Sequence, residues 1–230
     1  MIAMPYRVGV VHTITNSIDD INLLFRQMLP DIDQINIIDD SIVKDVIRSV
    51  DVTPAIISRL ATYYQICQQI GCCCILNECT SVAFAADIAE KTVDIPVFRI
   101  DYPMAKKAAQ MGKRIGILAT ASSTLKSSMR TFRRAAEEVG NPDAAITMYY
   151  CENAHKALFQ AGDRKRHDEI VLRYAEKASL ENDVLALAQG SMAPLAPQVS
   201  QFGLPVLTSL HSGVEQIKDY IDSLPALQAT

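Results

Sequence analysis

Four of the chain's six cysteines fall within eight positions, in the stretch GCCCILNECTSVA at 71–83: Cys72, Cys73, Cys74 and Cys79. Sulfur at that density suits three kinds of chemistry: a metal site, a disulfide framework or a reactive thiol. Zinc sites draw on cysteine pairs two to four residues apart, or on cysteines with histidines at set spacing. Three consecutive cysteines on a strand alternate between its faces and do not converge on one ion. Cys67 and Cys151 stand apart from the cluster. Disulfides need an oxidising compartment. The opening MIAMPYRVGVVHT runs directly into a strand-like segment and lacks the charged and long apolar regions of a signal peptide. No stretch approaches the ~20 apolar residues of a membrane span. A cytoplasmic location with reduced thiols is therefore expected, with no membrane partner.

The remaining chemistry is that of a single thiol. A free cysteine packs as a small hydrophobe, and Cys67, Cys72, Cys73, Cys74 and Cys151 are read in that way. Cys79 follows the end of a strand and precedes a helix expected to begin near Thr80 and Ser81. Ligands of parallel α/β sheets bind beyond the carboxyl ends of the strands. A helix N-terminus offers unpaired N–H groups and the positive end of the dipole. It lowers a nearby thiol from its usual pKa of about 8.5 and enriches the thiolate, which acts as base or nucleophile. At this point two readings of Cys79 stand, a reactive thiolate and another buried cysteine.

The elements that must hold these residues alternate along the chain. Arg7–His12 (RVGVVH), 34–38, 72–77, 95–100, 114–119, 145–150, 184–189 and 204–207 are short apolar runs that read as strands. Between them lie helical patterns. One starts after Asn16 or Ser17 with Asp19 and Asp20 in its first turn. Others run from Thr53-Pro54 to Gly71, over 81–91, to Gly112, to Gly140, from about Asp163 and from about Ser212. Repeated β-α order with apolar strands predicts parallel sheets covered by helices on both faces. Three matches recur in order: RVGVVHT with RIGILAT at offset 107, ILNECTSVA with LALAQGSMA at 110, and IPVF with LPVL at 109. The chain thus reads as two copies of one α/β half. At 230 residues it has material for two lobes, and its net charge of −4 argues against nucleic acid as a partner.

With ILNECTSVA, its counterpart LALAQGSMA and the strand openings VGVVHT and IGILAT, the chain resembles the aspartate/glutamate racemase superfamily over essentially its whole length. Asp39-Asp40-Ser41 is similar to a segment of members of this size. The resemblance implies an α/β fold of two pseudo-symmetric lobes, residues 1–103 with 211–230 and residues 104–210. Each is a mainly parallel sheet flanked by helices, with the active site in the cleft between them. It also implies a homodimer, no cofactor, no metal, and a small carboxylate or amino-acid substrate such as aspartate or glutamate. In the family two cysteines face the substrate, one removing the α-proton and the other returning a proton from the opposite side. Cys79 matches the first, but Gln189 stands at the second position. Glutamine has no titratable proton, so its expected part is to hydrogen-bond an intermediate. His211 and His12 are candidate substitutes, because imidazole titrates near neutrality.

The expected substrate contacts are His12, Thr13, Asn77, Thr80, Ser81, Thr120, Ser122, Ser123, Thr124 and Ser191, at strand ends and helix starts where hydroxyls and N–H groups suit a carboxylate. The same hydroxyls serve equally as N-caps. His155 and His167 are expected to be solvated, as are Arg130, Arg133, Arg134 and the run RKRH at 164–167. Arg99 is expected mid-strand. The rival activities are maleate-type isomerisation or malonate decarboxylation with Cys79 alone, and ligand binding without catalysis.

Overall fold

The computed structural model describes residues 6–15 and 17–225. They form two compact units, one running to Ile100 and resuming at Leu210, the other Asp101–Ser209. The first contains β1 (Arg7–His12), α1 (Ile18–Met28), β2 (Asp33–Ile38), α2 (Ser41–Ser49), α3 (Pro54–Gln69), β3 (Cys74–Asn77), α4 (Ala83–Ala89) and β4 (Val97–Arg99). The second contains α5 (Tyr102–Met111), β5 (Arg114–Ala119), α6 (Ser122–Glu138), β6 (Ala145–Tyr150), α7 (Ala154–Phe159), α8 (Arg164–Ser179), β7 (Val184–Leu187), α9 (Ala196–Val199) and β8 (Val206–Thr208). α10 (Ser209–Ser223) then rejoins the first unit.

Each unit holds one four-stranded parallel sheet, ordered β2-β1-β3-β4 and β6-β5-β7-β8. The register repeats as the sequence does, with Val8 opposite Cys74 in one sheet and Ile115 opposite Val184 in the other. The inner strands β3 and β7 are buried at every position, whereas the edge strands β2 and β6 are half exposed. This is the pattern of a sheet covered on both faces.

Alternation assigns the faces. In the first unit Val11 and Ile75 pack with Ile56, Leu60 and Tyr64 of α3 and with Ala85 and Ala86 of α4. In the second, Ile115, Ile117 and Ala119 meet α5 and α6, while Leu118, Leu185 and Leu187 meet α8 and α9. Gly9 and Gly116 occupy equivalent positions on the two first strands. A Cβ on Gly9 would lie 2.5 Å from Cys67 Sγ, and one on Gly116 would lie 2.6 Å from Leu185 Cδ2 and 2.9 Å from Asn182 Nδ2. Both glycines are there for close approach. Gly116→Ala is expected to lower stability by about 1–3 kcal/mol through overpacking, read as a lower urea midpoint at unchanged slope.

Several boundaries depart from expectation. Thr53 caps α3 as predicted, its hydroxyl accepting from Ile56 N, and the helix stops before Gly71 at φ +83°. The strand expected over 72–77 begins only at Cys74. Those expected over 95–100 and 184–189 shorten to Val97–Arg99 and Val184–Leu187. Asn16 lies outside the described residues. Ser17 precedes α1, but its hydroxyl turns away from the helix to Glu78, 2.9 Å distant. The sequence reading has no counterpart for α2 or α7, and α10 starts three residues before Ser212. Among the described residues no helix is long and apolar enough to cross a membrane.

Candidate active site

The order β2-β1-β3-β4 reverses direction between β1 and β3, and a parallel sheet offers its binding crevice at the carboxyl ends of such a strand pair. There the chain places His12 and Thr13 after β1, and Asn77, Glu78 and Cys79 after β3. Cys79 is extended (φ −143°, ψ 115°) and opens a 3-10 turn, Thr80–Val82, which leads into α4. The Thr13 hydroxyl and the N–H groups of Ser81 and Val82 lie around its sulfur and favour its ionised form. Thr13 Oγ1 is buried with no hydrogen-bond partner among the described residues. Asn77 locks the turn from behind: its Oδ1 accepts from Tyr64 OH at 3.0 Å and its Nδ2 donates to Cys79 O at 3.1 Å. Expected as a substrate contact, the Asn77 amide is engaged within the fold.

The environment of the thiol overturns one expectation. Cys79 is only 6% exposed and packs with Ile42, Val46, Leu60 and Val82. Burial pushes its pKa up to about 11. The Glu78 charge adds to that rise, while Thr13 and the two N–H groups oppose it without cancelling it. The helix expected at Thr80 is in fact a single 3-10 turn followed by the seven-residue α4, too short a run for the dipole to outweigh desolvation.

The second unit repeats the geometry with different chemistry. Gln189 has nearly the backbone conformation of Cys79 (φ −138°, ψ 144°) and likewise opens a 3-10 turn. Its Oε1 accepts from Thr120 N at 2.5 Å, Thr120 Oγ1 at 3.0 Å and Ala121 N at 3.2 Å. Two of these donors are backbone N–H groups, so the oxygen must face them and the amide NH2 must point away. Thr120 thus stands to Gln189 as Thr13 stands to Cys79. Ser122 and Ser123 open α6, and Thr124 Oγ1 donates back to Ala121 O at 2.8 Å. Thr80 and Ser81 are buried in their turn, and Ser191 Oγ is buried with no hydrogen-bond partner among the described residues.

The histidines fall elsewhere than expected. His12 is fully buried, its Nδ1 3.3 Å from Glu78 Oε2 and its Nε2 2.9 Å from Asn36 Oδ1. Both ring nitrogens are therefore held by the protein. His211 lies in the first turn of α10, 63% exposed and 3.9 Å from Glu215. His167, expected in solvent, is buried beneath α8 with Nδ1 2.7 Å from Asp168. His155 is half-buried, and burial followed by the nearby His167 lowers its pKa.

Arg99 is the last residue of β4, not mid-strand, and is bound by both oxygens of Asp87 at 3.0 and 3.1 Å. Asp39 accepts from Ser41 Oγ at 2.7 Å, from Tyr63 OH at 2.6 Å and from Arg59. Burial alone would raise its carboxyl, but these hydrogen bonds hold it at about 2. The Asp39-Asp40-Ser41 segment is thereby tied to α3. Sequence reasoning missed Glu78, Ser17 and Asn36. The one signal for Glu78 was a charge at the end of an otherwise apolar strand. Among the described residues no group of three or more His, Cys, Asp or Glu side chains could hold a metal ion.

Comparison with known proteins adds to this geometry. Glutamate racemases of Trichormus variabilis and a Nostoc species are each 30% identical to the chain over 127 residues, 55% of this chain and 42% of theirs. The match thus spans less than half the length of those relatives. A glutamate racemase structure from Bacillus anthracis superimposes with a TM-score of 0.73 at 16% identity, covering 99% of this chain and 85% of that one. An allantoin racemase from Klebsiella pneumoniae gives 0.70 at 16% identity, covering 97% and 91%. Two helix-flanked parallel sheets are the fold that these structures share with it. The sequence pattern of the Asp/Glu/Hydantoin racemase family matches residues 13–217, and the chain belongs to that family.

Proposed function

We propose that the protein is a cofactor-independent isomerase of a small carboxylate, an amino acid such as glutamate or aspartate, with Cys79 as the base that removes the α-proton. One observation carries this reading. At the carboxyl end of β3 the Thr13 hydroxyl and two N–H groups lie around one sulfur and favour its ionised form, and Thr13 Oγ1 is buried with no partner of its own, surroundings that suit a working thiol better than a packing cysteine. The names of the curated relatives favour glutamate as the first substrate to try.

In the forward step the Cys79 thiolate takes the α-hydrogen as a proton, and the electron pair moves into the substrate carboxylate as an enediolate. The buried, high-pKa thiol is protonated at rest, and once ionised it is a strong base for a weak carbon acid. Gln189 cannot return a proton from the other face, since an amide does not titrate in the working range. Its NH2 group, turned away from Thr120 and Ala121, is the donor this position offers to a developing enediolate. Return from the thiol restores the original hand, and inversion depends on slower delivery from water.

The test is α-proton exchange in heavy water, followed by NMR and chiral analysis on L- and D-glutamate and aspartate. Exchange that outpaces inversion is the expected result. Inversion as fast as exchange overturns the one-base mechanism, and no exchange on any substrate overturns Cys79 as the base. A single thiol also favours a second reading, decarboxylation of a malonate or isomerisation of maleate with Cys79 acting alone, and both substrates belong on the same panel.

A further inference from the structure

The polar chain behind Cys79 takes no part in the chemistry described so far. Glu78 is buried, its Oε1 accepting from Ser17 Oγ at 2.9 Å and its Oε2 3.3 Å from His12 Nδ1. The far nitrogen of His12 lies 2.9 Å from Asn36 Oδ1, which also accepts from Gln34 Nε2 at 2.9 Å. Both ring nitrogens thus face oxygens, and the ring is held on both sides. A buried carboxyl group needs hydrogen-bond partners, and Ser17 and His12 supply them to Glu78.

Successive residues of an extended segment point to opposite sides. Glu78 therefore turns toward β1 and the start of α1, while Cys79 turns toward Thr13 and the cluster under α3. We propose that Glu78 is a positioning residue for Cys79: gripped by Ser17 and His12, it anchors the turn that presents the thiol and sets the charge under which that thiol reacts. The inference rests on Cys79 being the reactive group. The groups that bear on the pair come from every neighbouring element. β1 contributes His12 and Thr13, the residue before α1 contributes Ser17, and β2 contributes Asn36 through the ring. α2 and α3 contribute Ile42, Val46, Leu60 and Tyr64 on the side of the thiol, with Tyr64 kept neutral by burial.

Iodoacetamide labelling of the full-length wild type, Glu78→Gln and His12→Asn, followed across pH 7–10.5 by mass spectrometry of the peptide bearing Cys79, tests it, with Cys74 as the buried reference. Glu78→Gln removes a negative charge while keeping the shape. It should move the rate–pH curve of Cys79 labelling down by about one pH unit, making labelling about tenfold faster at pH 8. His12→Asn takes away the ring that holds Glu78 Oε2 and should move it the other way. The two shifts are opposite, so either variant that keeps the wild-type melting profile decides the matter. Rate–pH curves that stay put, curves that move together with a falling melting temperature, or a Cys79 no faster than Cys74 at every pH would each overturn it. Labelling needs no substrate. Opposite shifts in a protein that exchanges no α-proton would remove the proposed reaction and leave Glu78 in this role.

Discussion

Cys79→Ser is expected to slow α-proton exchange by about a thousandfold, within the range that loss of a positioned general base gives, while Cys73→Ser stays within about twofold of wild type. The two cysteines differ in what surrounds them, not in exposure alone. Cys79 lies at the strand's carboxyl end, where Thr13 and two N–H groups favour its ionised form. Cys73 precedes β3 at the opposite end of the sheet, and its carbonyl accepts from Tyr220 OH at 3.4 Å, a backbone contact that the substitution leaves in place. Serine fills nearly the volume of cysteine, but its hydroxyl does not ionise in the working range. A melting profile close to wild type separates lost chemistry from lost folding. Equal activity of the two variants would remove Cys79 from the mechanism.

The second large effect is on pH dependence. A thiol raised to about 11 is ionised in only about one molecule in ten thousand at pH 7, and the ionised fraction grows about tenfold with each pH unit. The base works only when deprotonated, so kcat/KM for exchange should rise about a thousandfold between pH 7 and pH 10. The same shift costs stability at the alkaline end. Above the thiol's ordinary value of 9.0 the unfolded chain gives up a proton that the folded chain retains, so folding weakens as pH climbs toward 11. Folding must therefore be monitored alongside the rate. A profile already level by pH 8 would mean that a different group takes the proton.

The parts of the fold that the sequence discloses are those governed by local pattern. RVGVVH, RIGILA and AITMYY end where β1, β5 and β6 end, because strands are short runs of β-branched, aromatic and other apolar residues. The duplication is legible for the same reason, being a repeat of such runs. α2 is not legible. It follows β2 after two residues and closes at Val50 in a left-handed conformation (φ 63°) where a glycine would have marked the stop. His167 sits in the charged run RKRH, yet the turn of α8 carries it inward, a matter of helical phase that composition does not reveal.

At the site, position was legible and environment was not. Cys79 and Gln189 do open equivalent turns, as the repeat suggests. The burial that lifts the thiol comes from Ile42, Val46 and Leu60, residues 19 to 37 positions earlier, and only tertiary packing brings them to it. The grip of Ser17 and His12 on Glu78 spans more than sixty positions and leaves no local trace.

The return of α10 orders how the protein is made. Gly213 nestles against Ile100, Gln216 Nε2 donates to Arg99 O at 2.8 Å, and the Tyr220 and Phe98 rings meet at a 53° tilt with centroids 5.3 Å apart. On the ribosome, Asp101–Ser209 emerges as one continuous piece and can close its sheet while the earlier half still waits for that helix. The unit whose synthesis starts first is thus completed only once α10 has been made.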